Sequence, residues 1–145
     1  MTLHLVKLCV GIDSVAHLAE RQAGRLARMS AKGEPAELFH RTRQTPRRGS
    51  ELLDGGSLYW VIKGMILAHQ KIVDLRAVRG EDGIARCDII LDARLILTRP
   101  HPRRAFQGWR YLPFEDAPAD FGPGISGLDE IPPDMRQELL ELGLI

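Results

Sequence analysis

The 145-residue chain has no apolar run close to the roughly 20 consecutive positions that a membrane-crossing helix needs. Its apolar runs are short, and Lys63 interrupts the one around Trp60. Cysteine is scarce. Cys9 and Cys87 lie far apart, outside any CxxC or Cys/His spacing, so the usual thiolate metal motifs are missing. Each cysteine sits in a strand-like apolar run and reads as a small buried hydrophobe, with a disulfide or a reactive thiol as the alternatives. The histidines His4, His17, His40, His69 and His101 never stand four apart and no HExxH occurs, so no metal site is expected. GxxxxGK[ST], a GxGxxG after a strand and GxSxG are also absent. This removes the phosphate-loop, dinucleotide and serine-elbow readings and leaves no implied cofactor. The N-terminus meets Lys7 almost at once and carries no secretory pattern, so a cytoplasmic location is expected.

What is present is ordinary for a globular protein: 44% hydrophobic and 27% charged residues, enough for one core at this length. The net charge of +1 hides a split. Residues 1–110 hold 19 Lys and Arg against 11 Asp and Glu, whereas residues 111–145 hold 1 against 8. Such a split implies a basic surface for an anionic partner, a basic body partly covered by its own acidic tail, or both.

The hydrophobic pattern divides the chain into a body, residues 1–112, and an acidic Pro/Gly-rich tail, residues 113–145, ending in a short helix from Met135 to Leu142. Leu3 to Val10 is apolar on both alternating faces apart from His4 and Lys7, as an interior strand is. Ser14 caps an amphipathic helix that begins at Val15 and ends near Lys32, with Gln22 the exception in its apolar stripe. Strands are expected over Glu37 to Thr42, Leu58 to Lys63 and Arg94 to Arg99, the last cut off by Pro100 and Pro102. Gly64 marks a bend or bulge, and Lys71 to Arg79 pairs with Ala85 to Leu91 around Gly80 to Gly83. The fold class is α+β: a small mixed, partly closed β-barrel with one amphipathic N-terminal helix and a short C-terminal helix.

Two segments stand out chemically. His40 to Arg48 carries Arg41, Arg43, Arg47 and Arg48, and Arg99 to Tyr111 interleaves Arg99, Arg103, Arg104 and Arg110 with Phe106, Trp109 and Tyr111. Guanidinium forks suit phosphates and ring faces suit bases, the mixture that single-stranded nucleic acid requires. The competing reading puts the aromatics in the core and the arginines against the acidic tail. By alternation Lys63 shares a face with Tyr59 and Val61, either emerging at a sheet end or pointing into a polar cavity. Glu51 and Asp54 precede the Tyr59-Trp60 strand as possible general bases or as simple turn residues.

The segments GGSLYWVIKG (Gly55 to Gly64), TRQTPRRGSELLD (Thr42 to Asp54) and FQGWRYL (Phe106 to Leu112) resemble a family of uncharacterised small bacterial proteins, mainly alphaproteobacterial, defined by a domain of unknown function. More distantly, the Glu-turn-strand arrangement ahead of a barrel is similar to the PUA-like superfamily of PUA, EVE and ASCH domains. That resemblance implies a module binding RNA or a modified nucleobase. Arg43, Arg47, Arg48, Arg103 and Arg104 are the expected phosphate contacts, and Trp60, Trp109 and Tyr111 the expected pocket walls. Lys63 and Gln70 are expected to read polar edges. Some ASCH-type proteins use a Lys, a Thr and a Glu to hydrolyse an acylated pyrimidine, so a nucleoside or amide hydrolase using Lys63, Glu51 and Thr42 is the alternative. A protein-interaction domain working through the acidic tail is the third.

Overall fold

A computed structural model describes residues 2–121; the helix expected from Met135 to Leu142 lies outside the described residues. In chain order the elements are β1 (Leu3–Leu8), α1 (Val15–Ala31), β2 (Leu38–Thr42), α2 (Gly49–Leu52), β3 (Ser57–Ile62), β4 (Met65–Arg79), β5 (Ala85–Leu91), β6 (Ile96–Pro102) and β7 (Trp109–Pro113), followed by a 3₁₀ turn over Phe114–Asp116. The seven strands form one mixed sheet in the order β2-β5-β4-β3-β1-β7, with β6 also pairing to β4. Among the described strands only β1 and β3 run parallel, Leu5 opposite Leu58 and Lys7 opposite Trp60. Among the described residues no helix is long and apolar enough to cross a membrane.

The 15-residue β4 organises the sheet by serving different neighbours along its length. Met65 to Lys71 pairs with β3, and Ile72 to Arg79 pairs with β5 across a register shift between Ile72 and Asp74. The expected β4–β5 hairpin is therefore present. β6 runs on through Pro100 to Pro102 rather than stopping before them: β4 is its neighbour there, the bridge to Asp120 on its other side lies back at Thr98, and a free edge tolerates the missing N–H groups. Trp109–Pro113, to which the hydrophobic pattern assigned no strand, is a strand antiparallel to β1. Among the described residues the path is open, since no strand pairing joins β2 to β7. Their nearest link runs through side chains. Trp109 Nε1 donates to the Gln44 carbonyl at 3.0 Å, and the Tyr111 hydroxyl accepts from the backbone N–H groups of Arg47 and Arg48 at 3.0 and 3.2 Å.

Every residue of β3 is buried, and its alternation feeds two cores. Leu58, Trp60 and Ile62 join Leu3, Leu5, Leu67 and Ile89 under α1, which contributes Val15 and Leu18, and α2, which contributes Leu52. Tyr59 and Val61 pack on the other face with Val6, Ile66 and Leu112. Helix α1 starts where expected: the Ser14 hydroxyl accepts from the His17 N–H at 3.0 Å, a cap typically worth ~1 kcal/mol. Gln22, the exception in its stripe, makes a reciprocal amide pair with fully buried Gln70 at 2.8 and 2.9 Å. Gly56 must be glycine, because an added Cβ would lie 2.3 Å from the carbonyl oxygens of both Leu3 and Leu52.

Lys63 and Gly64 form the two-residue turn joining β3 to β4, with φ of 51° and 78°. Two successive positive φ values are the signature of a type I′ hairpin, which favours Asn-Gly. Of the bend or bulge expected at Gly64, the chain makes the bend, and the register shift lies between Trp60 and Val61. Lys63→Asn is accordingly expected to stabilise the protein by about 0.5 kcal/mol, read as a higher urea midpoint at unchanged m-value. A lower midpoint would contradict the turn assignment.

Candidate functional site

Helix α1 contacts β2, and a groove opens where residues of β1, α1 and β2 come together. Lys7 stands there. It follows Leu3 and Leu5 on the core face and is flanked in register by Trp60 on β3 and Trp109 on β7. Two adjoining hollows share Lys7 and His40. The inner one, ≈ 200 Å³, is floored by Leu18, Leu38 and Trp60 and rimmed by Arg21 and Arg25. The outer one, ≈ 310 Å³, adds Arg41, Thr42, Arg43, Gln44 and Trp109. Among the described residues, five cations (Lys7, Arg21, Arg25, Arg41, Arg43) and no carboxylate line this groove.

These cations differ in their commitments. Arg41 forms a bidentate pair with Asp88 at 2.7 and 3.0 Å. Arg25 donates to the Phe39 carbonyl at 3.0 Å and lies 4.3 Å from the Phe39 ring centroid. Lys7 and Arg43 have no ion pair among the described residues. Burial pushes the half-buried Lys7 ammonium below the usual lysine range, with the Cys9 thiol opposing. Such a group gains from an anion brought beside it.

His40 is the group sequence reading passed over. Its ring meets Trp60 edge to face at 5.4 Å, and its Nε2 is buried without a hydrogen-bond partner. Burial chiefly, then the positive charges of Lys7 and Arg25, lower its pKa to about 4, while Asp88 opposes. The imidazole is therefore neutral at pH 7. Since the unfolded chain takes up a proton near 6.5 and the folded chain only near 4, folding stability is intact above pH 6.5 and lost progressively down to about 4. The loss from this group is about 3 kcal/mol at most. His4, whose pKa burial also lowers, adds in the same direction. Urea unfolding from pH 7 to 4.5 should show the decline, and His40→Asn should flatten it; an unchanged slope in that variant would contradict the burial assigned to His40.

The expected site residues divide by location. Trp60 is buried, and its Nε1 donates to Gln70 Oε1 at 2.9 Å, so it forms the groove floor. Gln70 is saturated: Oε1 accepts from Trp60 and Gln22, and Nε2 donates to Gln22 and to the Asp92 carbonyl at 3.2 Å. It holds the floor rather than offering a free polar edge. Thr42, Arg43 and Trp109 line the outer hollow. Tyr111 is spent on fastening the 43–48 loop, and Arg48 pairs with Glu51 and lies over the Tyr111 ring. Arg47 is exposed beside it. Arg103 and Arg104 lie outside the groove, past the end of β6. Lys63, expected within a strand, is exposed in the hairpin turn because its backbone is left-handed. It stands at the opposite end of β3 from α2 and Glu51, a separation of about 20 Å at strand rise, so the two do not share a cavity.

Neither cysteine is activated. Burial raises the Cys9 thiol to about 11 and raises that of Cys87 as well, and both are free. Among the described residues no three His, Cys, Asp or Glu side chains converge as a metal site would require. On the second sheet face His69 stacks on Tyr59 at 4.6 Å and its Nε2 lies 2.7 Å from Asp120 Oδ1. His4 Nδ1 accepts from the Ser57 N–H at 3.0 Å. This cluster ties the segment after β7 to the sheet, together with the Phe121 N–H to Leu97 carbonyl bond at 2.8 Å.

Fold and groove together define a mixed α+β protein with a cationic cleft that no carboxylate lines among the described residues. The chain belongs to the family described as Protein of unknown function (DUF1489), whose model matches residues 5–145. No curated protein and no solved structure matches it.

Proposed function

We propose that the protein binds RNA, or a modified nucleobase, by taking one nucleotide unit into the groove between β1 and β2. The observation that carries this reading is the lining of Lys7, Arg21, Arg25, Arg41 and Arg43, with no carboxylate among the described residues, above an apolar floor that ends in Trp109, Phe39 and His40. A phosphate needs charged donors, a base needs ring and apolar faces, and the groove offers both within one nucleotide's reach. Hollows of ≈ 200 and ≈ 310 Å³ suit one ring with its phosphate. In the same reading the 43–48 loop, tied to Trp109 and Tyr111, completes a partly closed barrel, as the PUA-like resemblance implies. The test is fluorescence anisotropy of a labelled single-stranded RNA across a salt series. Expected is binding at low salt that weakens with a log–log slope of about −0.7 per phosphate contacted. Absence of binding at low salt would overturn the proposal.

A further inference from the structure

Arg103, Arg104 and Lys63 fall outside the groove, yet the topology gathers them at one place. At the end of the sheet where β1 and β3 finish, the order across is the start of β7, the end of β1, the Lys63-Gly64 turn and the end of β6. The register fixes this: Lys7 lies opposite Trp109, and Met65 opposite Pro102. The Arg103 N–H then donates to the Gly64 carbonyl at 2.8 Å, which pins the chain after β6 against the turn. Residues 7–12, 61–66 and 101–110, which build this end, contain Lys7, Lys63, Arg103, Arg104 and Arg110 and not one Asp or Glu. The acidic residues Glu51, Asp54, Glu115 and Asp116 belong to the elements at the opposite end.

The cations are presented outwards. Lys63, Arg104 and Arg110 are exposed. The guanidinium groups of Arg103 and Arg110 each sit 5.3 Å from the centroid of the Phe106 ring, which holds two planar forks in place. Val10, 81% exposed, adds an apolar contact beside them. The groove meets this end at Gly108 and Trp109.

Resting on the groove reading, we infer that this sheet end is the second half of a nucleic-acid surface: a single strand of RNA held in the groove runs across it to Arg103 and Arg104. From β7 to β6 is four strand spacings, about 19 Å. At about 3.4 Å per stacked nucleotide that distance carries five or six nucleotides. The ligand is single-stranded because a base within a duplex is paired and cannot enter hollows of this size.

The experiment compares a nucleoside 5′-monophosphate, a hexaribonucleotide and an RNA duplex of the same sequence, on the wild-type chain and on Lys63→Asn/Arg104→Gln. Both changes are at exposed positions, and Asn preserves the turn. Expected is at least tenfold tighter binding of the hexamer than of the monophosphate. The double variant should lose most of that gain, and about 1.4 from the salt slope, while binding the monophosphate unchanged. Equal affinity for monophosphate and hexamer, or a hexamer affinity that the variant leaves intact, overturns the path and leaves the groove reading standing. A duplex that binds as well as the hexamer also overturns it. No binding of any of the three overturns both.

Discussion

Gln70→Leu is expected to destabilise the protein by about 2–4 kcal/mol, although leucine is close to glutamine in size and the position is fully buried. The cost arises from what glutamine satisfies. Its amide takes the Trp60 indole N–H, closes a reciprocal pair with Gln22 and donates to the Asp92 carbonyl, so it joins β3, α1 and the residues after β5 in one network. Leucine leaves a buried indole N–H and a half-buried amide without partners, and an unmade bond costs more than a made one contributes. Changing Gln22 to leucine as well removes one orphan, so the double variant should recover part of the loss. Urea unfolding of the two single variants and the double one measures this as a coupling energy of about 1 kcal/mol or more. A loss below about 1 kcal/mol for Gln70→Leu would show that the network does not hold the groove floor.

The second large effect is on binding. Lys7→Met/Arg43→Gln removes the two groove cations that make neither an ion pair nor a side-chain hydrogen bond among the described residues, whereas Arg21 and Arg25 are hydrogen-bonded and Arg41 is paired, and keeps the lysine stem that lies between Trp60 and Trp109. A charge-assisted hydrogen bond to phosphate is worth about 1.5–3 kcal/mol. The pair should therefore lower affinity for single-stranded RNA by roughly 100-fold or more at low salt. Anisotropy titration reads the loss, and a circular dichroism melt confirms that the fold persists. A variant that binds within threefold of wild type would show that the groove is not where the anion sits.

Much of the fold was legible in the sequence. Periodicity located α1 to within a residue, Ser14 marked its start, and the alternation of Leu58, Trp60 and Ile62 against Tyr59 and Val61 gave the two cores that β3 separates. Local pattern failed where tertiary context ruled. The prolines of β6 are tolerated because they lie at a free edge, β7 forms because β1 offers it a partner, and Lys63 adopts a left-handed backbone because β3 and β4 need a two-residue turn.

The site was legible only in part. The Arg-rich segments drew the eye, yet Tyr111 and Arg48 are committed to the 43–48 loop and Gln70 to the core network. Lys7 and His40 center the groove instead. Lys7 carried a signal, a lysine continuing the Leu3-Leu5 face of an interior strand. His40 carried none, since its neutrality follows from burial beside Lys7 and Arg25, which meet it only in three dimensions.

The most direct test is an NMR titration of the ¹⁵N-labelled full chain with a single-stranded hexaribonucleotide at low salt. Expected are the largest shift changes at Lys7, His40, Arg43, Gln44, Gly108 and the Trp109 indole, with the second-face cluster of His4, Tyr59 and His69 unmoved. Shifts confined to surfaces away from the groove, or none at all, would contradict nucleotide binding between β1 and β2.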